Sequence, residues 1–337
     1  MTDTARYTRS DFQTDQEVRW CPGCGDYTIL AAVQSFLATL DVDREKHVFV
    51  SGIGCSSRFP YYMNTYGLHT VHGRAPAIAT GIATANPELT VWVITGDGDG
   101  LSIGGNHLIH ALRRNVNLNI IMFNNQIYGL TKGQYSPTSE VGKRTKTSPM
   151  GSIDRPFNPV SLALGSEASF VARTIDMDRN HTIEMLDAMF KHEGAGLLEI
   201  YQNCNVFNDK AFLDLTDKNS RDSNRIWIRD GEPITFGADN EYGVVVDGEG
   251  ARVVEVAKAG HRNIHVHDAG APNPAIAFAL SRLSYGPYGP TPLGIFRNVD
   301  VPSYGHEMEN QIAEAQAAKG PGEMAKLIRS RGTWIVD

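Results

Sequence analysis

ITGDGDGLSIGGNHLIHALRRNVNLNIIMFNNQIYGL, residues Ile94–Leu130, is the stretch that decides the fold of this chain. Apolar strands are predicted over Leu89–Thr95 and Leu118–Phe123, and a helical pattern over Gly105–Arg114 separates them. The three elements form one βαβ unit, and polar residues follow both of its strands. In an open parallel sheet, ligands bind at the carboxyl ends of the strands. We therefore expect the binding site at this edge.

The glycines, aspartates and asparagines at this edge are typical of a site for a divalent metal ion and a diphosphate. Mg²⁺ prefers oxygen ligands, and glycine lets the backbone approach a phosphate closely. A simpler explanation is that GDGDG and Asn124-Asn125 are ordinary turns, because Gly, Asn and Asp are common in turns. GDGDG and Asn124-Asn125 are both present, and each follows one of the two predicted strands. This combination favours the metal site.

Further along the chain, predicted strands alternate with predicted helices, which indicates an α/β fold with a mostly parallel sheet and helices on both faces. Helices are predicted over Tyr27–Leu40, capped by Asp26, and over Ala77–Ala85, Asn158–Leu164 and His181–His192. Strands are predicted over His47–Ser51, Ala168–Ala172 and Gly196–Gln202. The long segment Tyr128–Asp154 shows no periodicity, and loops of that length are usually functional or mobile.

Three regions are predicted: an N-terminal arm (residues 1–18), a binding domain (19–208) and a C-terminal extension (209–337) that packs on the domain or on a partner subunit. The extension is expected to contain a strand pair or a strand and a helix, two further helices, a turn-rich linker and an extended end. These predictions cover Glu241–Lys258, Pro272–Leu283, Glu323–Arg331, residues 285–292 and Trp334–Val336.

Composition excludes several classes of function. The 337 residues are enough for a large core, and the net charge of −7 argues against a nucleic-acid-binding protein. No apolar run approaches the ~20 residues that span a bilayer, and the polar N-terminus does not resemble a signal peptide. We expect a cytoplasmic protein without a membrane segment.

Four cysteines, Cys21, Cys24, Cys55 and Cys204, suggest a metal centre, since cysteines in a large cytosolic chain are more often ligands or catalysts than disulfides. The CPGC motif holds two thiols one turn apart, and the other two follow predicted strands. Four thiolates suit tetrahedral zinc or a [4Fe–4S] cluster. Structural zinc usually uses two close pairs, so the isolated third and fourth cysteines modestly favour the cluster. Cys55 and Cys204 could also be buried small residues without a ligand role.

Arg58 and His72 are candidate catalytic residues near the same edge. A guanidinium group binds a carboxylate bidentately, so Arg58 could hold an acidic substrate, although a surface ion pair is an equally plausible role. His72 could transfer a proton near neutral pH, although a lone histidine is more often structural. The basic residues of the long loop, including Lys132, Lys143, Arg144 and Lys146, could form a solvated face or contact an acidic partner or a carboxylate.

GDG followed by twenty-five residues and NN resembles the thiamine diphosphate fingerprint. The frame Gly96-Asp97-Gly98 gives this spacing, whereas a frame centred on Asp99 gives a shorter one. The chain from Trp20 to Asn208 resembles the β subunit of 2-oxoacid:ferredoxin oxidoreductases, most of all the 2-oxoglutarate type. The resemblance rests on stretches such as SGIGCSSRFPYY and FNNQIYGLTKGQYSPTSEVGKRTKTSP.

This resemblance implies a thiamine diphosphate-binding fold and a set of ligands. Mg²⁺ would be held by Asp97, the Asn125 side chain and the Ile127 carbonyl. The cofactor would contact Ile53, Gly54, Cys55, Ser56, Gly96, Gly98, Asp99, Gly129 and Leu130. The family also binds a [4Fe–4S] cluster through a CxxC pair, a cysteine in a GIGC-type loop and a late cysteine, which here are Cys21, Cys24, Cys55 and Cys204.

The resemblance also implies coenzyme A-dependent oxidative decarboxylation of a 2-oxo acid, or the reverse carboxylation used in carbon fixation, with electrons passed singly to ferredoxin. Arg58 would bind the 1-carboxylate of the substrate. A partner α subunit would supply the pyrimidine-binding domain and its activating glutamate, in an α₂β₂ assembly, so this chain alone is expected to be inactive. Alternatives are a pyruvate or branched-chain 2-oxo acid enzyme and a non-enzymatic, zinc-stapled scaffold.

Overall fold

An eight-stranded sheet forms the centre of the fold in the computed structural model, which describes residues 6–284 and 289–336. The strands are β1 (His47–Ser51), β2 (Tyr66–His69), β3 (Thr90–Gly96), β4 (Leu118–Asn124), β5 (Phe170–Ile175), β6 (Ala195–Tyr201), β7 (Arg225–Ile228), β8 (Thr235–Phe236), β9 (Tyr242–Asp247), β10 (Gly250–Glu255) and β11 (Thr291–Asn298). Their order in the large sheet is β2-β1-β3-β4-β6-β5-β11-β7, and β10-β9-β8 form a small antiparallel sheet.

Twelve α-helices occur among the described residues. They are α1 (Asp26–Leu37), α2 (Ala75–Ala85), α3 (Asp97–Leu101), α4 (Gly105–Arg113), α5 (Pro159–Gly165), α6 (Arg179–Lys191), α7 (Leu213–Thr216), α8 (Arg221–Asn224), α9 (Val256–Ala259), α10 (Ala275–Ser281), α11 (Tyr304–Lys319) and α12 (Met324–Ile328). Short 3₁₀ helices span Arg9–Phe12, Arg44–Lys46, Ser56–Tyr62, His261–Asn263 and Arg282–Ser284.

Both faces of the sheet are covered, which explains why β3, β4 and β6 have apolar runs without alternation. One core, rich in aromatic residues, lies between the sheet and the pair α1 and α6, where Phe36 and Phe49 pack around Trp92. The other core is mainly aliphatic and includes side chains of α2, α4 and α5. The predicted α/β class with a mostly parallel sheet is confirmed. Among the strand pairs of the large sheet, the pair of β5 and β11 is antiparallel and the other pairs are parallel.

The parallel strands place four loops at one edge of the sheet. β1, β3, β4 and β6 are neighbours and run in the same direction. The segments that leave their carboxyl ends contain GIGC, GDGDG, NNQIYG and QNC. The fold therefore brings together motifs that are up to 150 residues apart because each follows a strand of the same sheet.

The predicted element boundaries differ from the structure in several places. GDGDG is not a loop, because Asp97–Leu101 form α3 directly after β3. The predicted capping role of Asp26 is wrong: Gly25 occupies the N-cap, and Asp26 is the first residue of α1. The edge strand β2 was missed because all four of its residues are exposed, which gives no alternating pattern.

The segment after residue 208 contributes to the main sheet through β7 and β11. Glu241–Lys258 contains the β9–β10 hairpin and α9, and α10 lies within the predicted Pro272–Leu283 helix. Residues 285–288 of the predicted linker lie outside the described residues, whereas Thr291 begins β11. Helices α11, which was not predicted, and α12 bury no residue. The boundaries of the three predicted regions stay a prediction.

No helix within residues 6–284 and 289–336 combines the length and apolar character needed to cross a bilayer.

Candidate active site

Asp97 is buried at the point where β3 passes into α3. Its Oδ2 accepts hydrogen bonds from Ser136 Oγ at 2.5 Å and Thr138 Oγ1 at 2.6 Å. Burial raises the pKa of the Asp97 carboxyl to about 6, although both hydroxyl groups oppose the shift. A divalent cation beside this carboxylate would favour its ionised form. The donor set therefore suits a metal ion.

Asp99 joins two loops of the edge to β3 and has a different role from Asp97. Its Oδ1 accepts hydrogen bonds from the amides of Ile53, at 2.9 Å, and Gly73, at 2.7 Å, and contacts His72 Nδ1 at 2.7 Å. Its Oδ2 accepts a bond from Thr95 Oγ1 at 2.7 Å. Four donors thus occupy the Asp99 carboxylate, and its side chain is 1% exposed.

The Asn124-Asn125 pair lies beside Asp97, because β3 and β4 pair in parallel with Gly96 opposite Phe123. Asn124 Nδ2 donates to Glu199 Oε1 at 2.7 Å. Asn125 Oδ1 accepts the Ile127 amide at 3.2 Å, and its Nδ2 donates to Gln202 at 2.8 Å.

Gln126, which follows this pair, has a positive φ of 56°. The backbone amide of Gln126 donates a hydrogen bond to Asn124 Oδ1 at 3.2 Å, so the side chain of Asn124 supports the turn. The NN motif is thus a turn, and it is also held in place by β6 and the segment after it.

Gly98 of GDGDG and Gly129 of NNQIYG allow close approach of other groups. A Cβ on Gly98 would lie 2.2 Å from the ring of Tyr128, whose hydroxyl donates to the Gly98 carbonyl at 2.9 Å. A Cβ on Gly129 would lie 3.5 Å from Cys55 Sγ and 3.7 Å from Cys204 Sγ. The loop after β4 therefore connects the Asp97 region with the cysteines.

The four cysteines share one neighbourhood. Burial raises the pKa of the Cys55 thiol to about 12, and the charges of Asp26, Cys204 and Cys21 add to the shift. Burial also raises the pKa of Cys24, with further contributions that include Cys204 and Cys55. Within residues 6–284 and 289–336, however, no three Cys, His, Asp or Glu side chains are arranged as a metal centre. The four-cysteine cluster therefore stays a prediction, although the loops that carry its thiols lie close together.

The chemistry of these thiols suits a metal ion or a metal cluster. All are free, and Cys21 is exposed, Cys24 and Cys55 are partly buried and Cys204 is buried. Raised pKa values mean that metal binding must displace protons, as it does at other thiolate sites. Trp20 Nε1 donates to the Cys55 carbonyl at 2.7 Å, and Gln202 Nε2 donates to Cys24 Sγ at 3.3 Å. Both contacts fix the loops that carry the thiols.

A cleft of about 450 Å³ lies next to the GIGC loop. Its lining includes Ile53, Gly54, Arg58 and Leu130 together with Arg19. Arg58 Nη1 donates to the Arg19 carbonyl at 3.4 Å, so this bond restrains the guanidinium group beside the cleft. Glu17 lines the same cleft and pairs with Arg19 at 2.8 Å, so Arg58 is the cationic side chain here that suits an anionic substrate.

Comparison with known proteins identifies the family. The chain is 58% identical to the 2-oxoglutarate oxidoreductase subunit KorB of Mycobacterium tuberculosis over 97% of its own length and 88% of the relative. The chain belongs to the family of 2-oxoacid:ferredoxin oxidoreductase β subunits. It is thus part of an enzyme, and the family predicted from the sequence is confirmed. The β subunit of 2-oxoacid:ferredoxin oxidoreductase 1 from Aeropyrum pernix is 44% identical, over 59% of this chain and 63% of that relative.

Two further comparisons agree with this family. Residues 52–200 match the C-terminal TPP binding domain of thiamine pyrophosphate enzymes. The 2-oxoglutarate:ferredoxin oxidoreductase from Magnetococcus marinus, solved with 2-oxoglutarate, coenzyme A and succinyl-CoA bound, is similar with a TM-score of 0.78 and 31% identity. That likeness covers 98% of both chains, so it includes the C-terminal third.

Sequence reasoning assigned no role to several buried groups of this β-subunit site. Ser136 and Thr138 lie in the long loop, where hydroxyl-rich composition was the only signal. Neither oxygen of Asp26 has a hydrogen-bond partner within the described residues, and burial followed by the charge of Asp176 raises the pKa of its carboxyl to about 7. Glu199 was read as part of an apolar strand.

Proposed function

We propose that this chain is the β subunit of a 2-oxoglutarate:ferredoxin oxidoreductase that binds thiamine diphosphate through Mg²⁺. The observation that carries the proposal is the single sheet edge at which buried Asp97, the Asn124-Asn125 turn and the loops with all four cysteines meet. The relatives named for 2-oxoglutarate and the solved structure with 2-oxoglutarate bound support this substrate.

The residues assigned to Mg²⁺ are Asp97, the Asn125 side chain and the Ile127 carbonyl. Asp97 is the better of the two aspartates, because four hydrogen-bond donors already occupy Asp99. Asp99 instead fixes the loops that carry Ile53 and His72. Gly98 and Gly129 leave room for the diphosphate end of the cofactor, provided that Tyr128 moves from its place over Gly98.

The remaining cofactor contacts are assigned to the GIGC and GDGDG loops. They are Ile53, Gly54, Cys55, Ser56, Gly96 and Leu130. Ser56 Oγ lies 3.5 Å from the position of a Cβ on Gly96, so the two loops touch. Thiamine diphosphate supplies the electron sink that decarboxylation of a 2-oxo acid requires.

A [4Fe–4S] cluster is assigned to Cys21, Cys24, Cys55 and Cys204. Cys55 Sγ and Cys204 Sγ both lie within 4 Å of the position of a Cβ on Gly129, which is assigned to the diphosphate end, so the cluster would lie close to the thiamine cofactor. In the overall reaction, 2-oxoglutarate and coenzyme A give succinyl-CoA, CO₂, one proton and two electrons. An iron–sulfur cluster passes such electrons one at a time. Ferredoxin is the acceptor in the names of the relatives.

Arg58 is assigned to a substrate carboxylate because it lines the cleft next to the GIGC loop. 2-Oxoglutarate carries two carboxylates, and Arg58 is assigned to one of them, because Arg19 in the same cleft is paired with Glu17 at 2.8 Å. His72 is assigned to proton transfer. Its Nδ1 bond to Asp99 leaves Nε2 as the free ring nitrogen. Exposure of 38% gives the His72 side chain access to solvent.

Activity requires an α subunit that carries the pyrimidine-binding domain and its activating glutamate, and an α₂β₂ assembly in the cytoplasm is the arrangement that we propose. The test is co-expression with that partner under anaerobic conditions. Ferredoxin reduction is then compared for 2-oxoglutarate and pyruvate, with and without coenzyme A. We expect reduction with 2-oxoglutarate and coenzyme A and none from this chain alone. Preferential use of pyruvate or a branched-chain acid would instead assign the chain to a sister enzyme.

A matched pair of variants tests substrate recognition in the same assay. Arg58→Met should raise the KM for 2-oxoglutarate about 10- to 100-fold, because a charge-assisted bond of this type contributes roughly 1.5–3 kcal/mol. Arg262→Met, which removes an exposed arginine of the 3₁₀ helix His261–Asn263, should leave KM unchanged. Equal KM values in both variants would exclude Arg58 from substrate binding.

A further inference from the structure

The hydroxyl group of Thr138 lies between two acceptors at the sheet edge. Its Oγ1 is 2.6 Å from Asp97 Oδ2 and 2.9 Å from Asn124 Oδ1. Thr138 is 2% exposed, so water does not supply alternative partners. A hydroxyl group has one hydrogen and can donate to only one of these oxygens at a time. The position of Thr138 is therefore tied to two residues of the proposed cofactor site.

The orientation of the Asn124 amide follows from its partners. Glu199 Oε1 lies 2.7 Å from Asn124 Nδ2, and a carboxylate can only accept. The amide of Gln126 can only donate, and it lies 3.2 Å from Asn124 Oδ1. A flipped amide would lose both bonds. Asn124 therefore presents its oxygen, and not its nitrogen, to Thr138.

Glu199 is itself fixed from the interior of the protein. Arg173 Nε donates to Glu199 Oε2 at 2.6 Å, and the two side chains are 1% and 0% exposed. Arg173 also donates to Asn158 at 3.2 Å and lies over the ring of Tyr201. A chain of contacts thus leads from a buried ion pair on β5 and β6, through Asn124 and Thr138, to Asp97.

Ser136 complements this arrangement. Its hydroxyl lies 2.5 Å from Asp97 Oδ2, and its amide donates to Ser139 Oγ at 2.8 Å. Ser139 Oγ in turn donates to the Gln126 carbonyl at 2.6 Å. The segment 136–139 is thereby attached to the turn after β4 as well as to Asp97. The long loop is ordered at this point by hydroxyl groups.

We propose that Thr138 is a positioning residue that donates its hydroxyl hydrogen to the Asp97 carboxylate and thereby fixes this carboxylate for Mg²⁺. The proposal rests on the proposed function of Asp97 as a Mg²⁺ ligand. Mg²⁺ demands near-octahedral geometry, so a carboxylate that rotates freely binds it less well. Partners of metal ligands typically change metal affinity about 10- to 100-fold when they are removed.

The test measures Mg²⁺ affinity in the complex with the partner subunit. The Mg²⁺ concentration for half-maximal retention of thiamine diphosphate is determined by equilibrium dialysis, and it does not depend on turnover. Thr138→Val should raise that concentration about 10- to 100-fold. Thr138→Ser keeps the hydroxyl and should restore it to near the wild-type value. Thr147→Val, an exposed threonine of the same loop, is the matched control and should have no effect.

Each outcome separates this proposal from the proposed function. If Thr138→Val retains wild-type Mg²⁺ dependence while Asp97→Asn loses it, Thr138 has no positioning role and the ligand assignment stands. If Asp97→Asn also retains it, the ligand assignment itself is wrong. If Thr138→Val does not assemble, Thr138→Ala removes the same hydroxyl without adding bulk. A serine variant as impaired as the valine variant would overturn the proposal, since the hydroxyl would then not be the group that matters.

Discussion

His72 Nδ1 and Asp99 Oδ1 lie 2.7 Å apart, and this contact joins the loop before α2 to the helix that follows β3. The same oxygen accepts the amides of Ile53 and Gly73, so one carboxylate fixes the GIGC loop and the HGR segment together. The second aspartate of GDGDG thus organises the site, whereas the first is the one that we propose as a metal ligand.

Asp99→Asn should destabilise the complex by about 1–3 kcal/mol, because an amide replaces a buried acceptor that receives several hydrogen bonds. The measurement is the urea midpoint at neutral pH, with Asp41→Asn as an exposed control. Thiamine diphosphate retention should fall as well, since the positions of Ile53 and His72 depend on this carboxylate. An Asp99→Asn variant with the stability of the control would show that the four contacts contribute little.

Gly98→Ala should destabilise the protein by roughly 1–3 kcal/mol, since overpacking a filled site forces its neighbours to shift. The added Cβ would lie 2.2 Å from the Tyr128 ring, whereas a Cβ on Gly105 meets nothing within 4 Å. Gly105→Ala is therefore the control and should be neutral or slightly stabilising. Thermal unfolding of both variants is the measurement. Tyr128→Ala combined with Gly98→Ala should recover part of the loss if the clash is the cause.

Cys204→Ser should reduce the iron content and the visible absorption of the anaerobically purified complex while leaving Mg²⁺–thiamine diphosphate binding intact. Cys204 and Cys55 both lie beside Gly129, although the two cysteines are far apart in the sequence. Iron analysis and dialysis of the cofactor measure the two properties separately. Full iron content in the variant would exclude Cys204 as a ligand, and zinc in the wild-type protein would exclude the cluster.

His47 should make the protein less stable in acid. Burial lowers the pKa of His47 to about 4 from an ordinary value of 6.5. Because the folded state disfavours the charged imidazole, its stabilising contribution is complete above pH 6.5 and is lost as the pH falls toward 4. The loss amounts to about 3 kcal/mol, since each pKa unit corresponds to roughly 1.4 kcal/mol.

Urea unfolding of wild-type protein and His47→Gln between pH 7.5 and 4, an interval set by that pKa difference, measures this contribution. Glutamine retains an acceptor for Trp92 Nε1, which lies 3.3 Å from His47 Nδ1. The difference in unfolding free energy between the two proteins should change across this interval in favour of the variant at low pH. Parallel pH profiles would show that His47 does not titrate in this range.

Much of the central sheet followed from sequence periodicity. β1 was predicted at the observed bounds, and β3, β4 and β6 within one or two residues, because buried parallel strands have uninterrupted apolar runs. β2, β7, β11 and α11 were missed. β2 and α11 have no buried residue, and β7 is only four residues long, so their patterns were weak.

By itself, the sequence determined the family, the βαβ unit and the motif spacing that favours Asp97 over Asp99, since these depend on local order along the chain. Only the tertiary structure decided that Asp99 joins two loops to β3 and that Thr138 contacts Asp97 across 41 residues. It also decided that the Arg173–Glu199 pair supports Asn124. Such contacts arise from the packing of strands that are not adjacent in sequence, and periodicity carries no information about which buried polar groups meet.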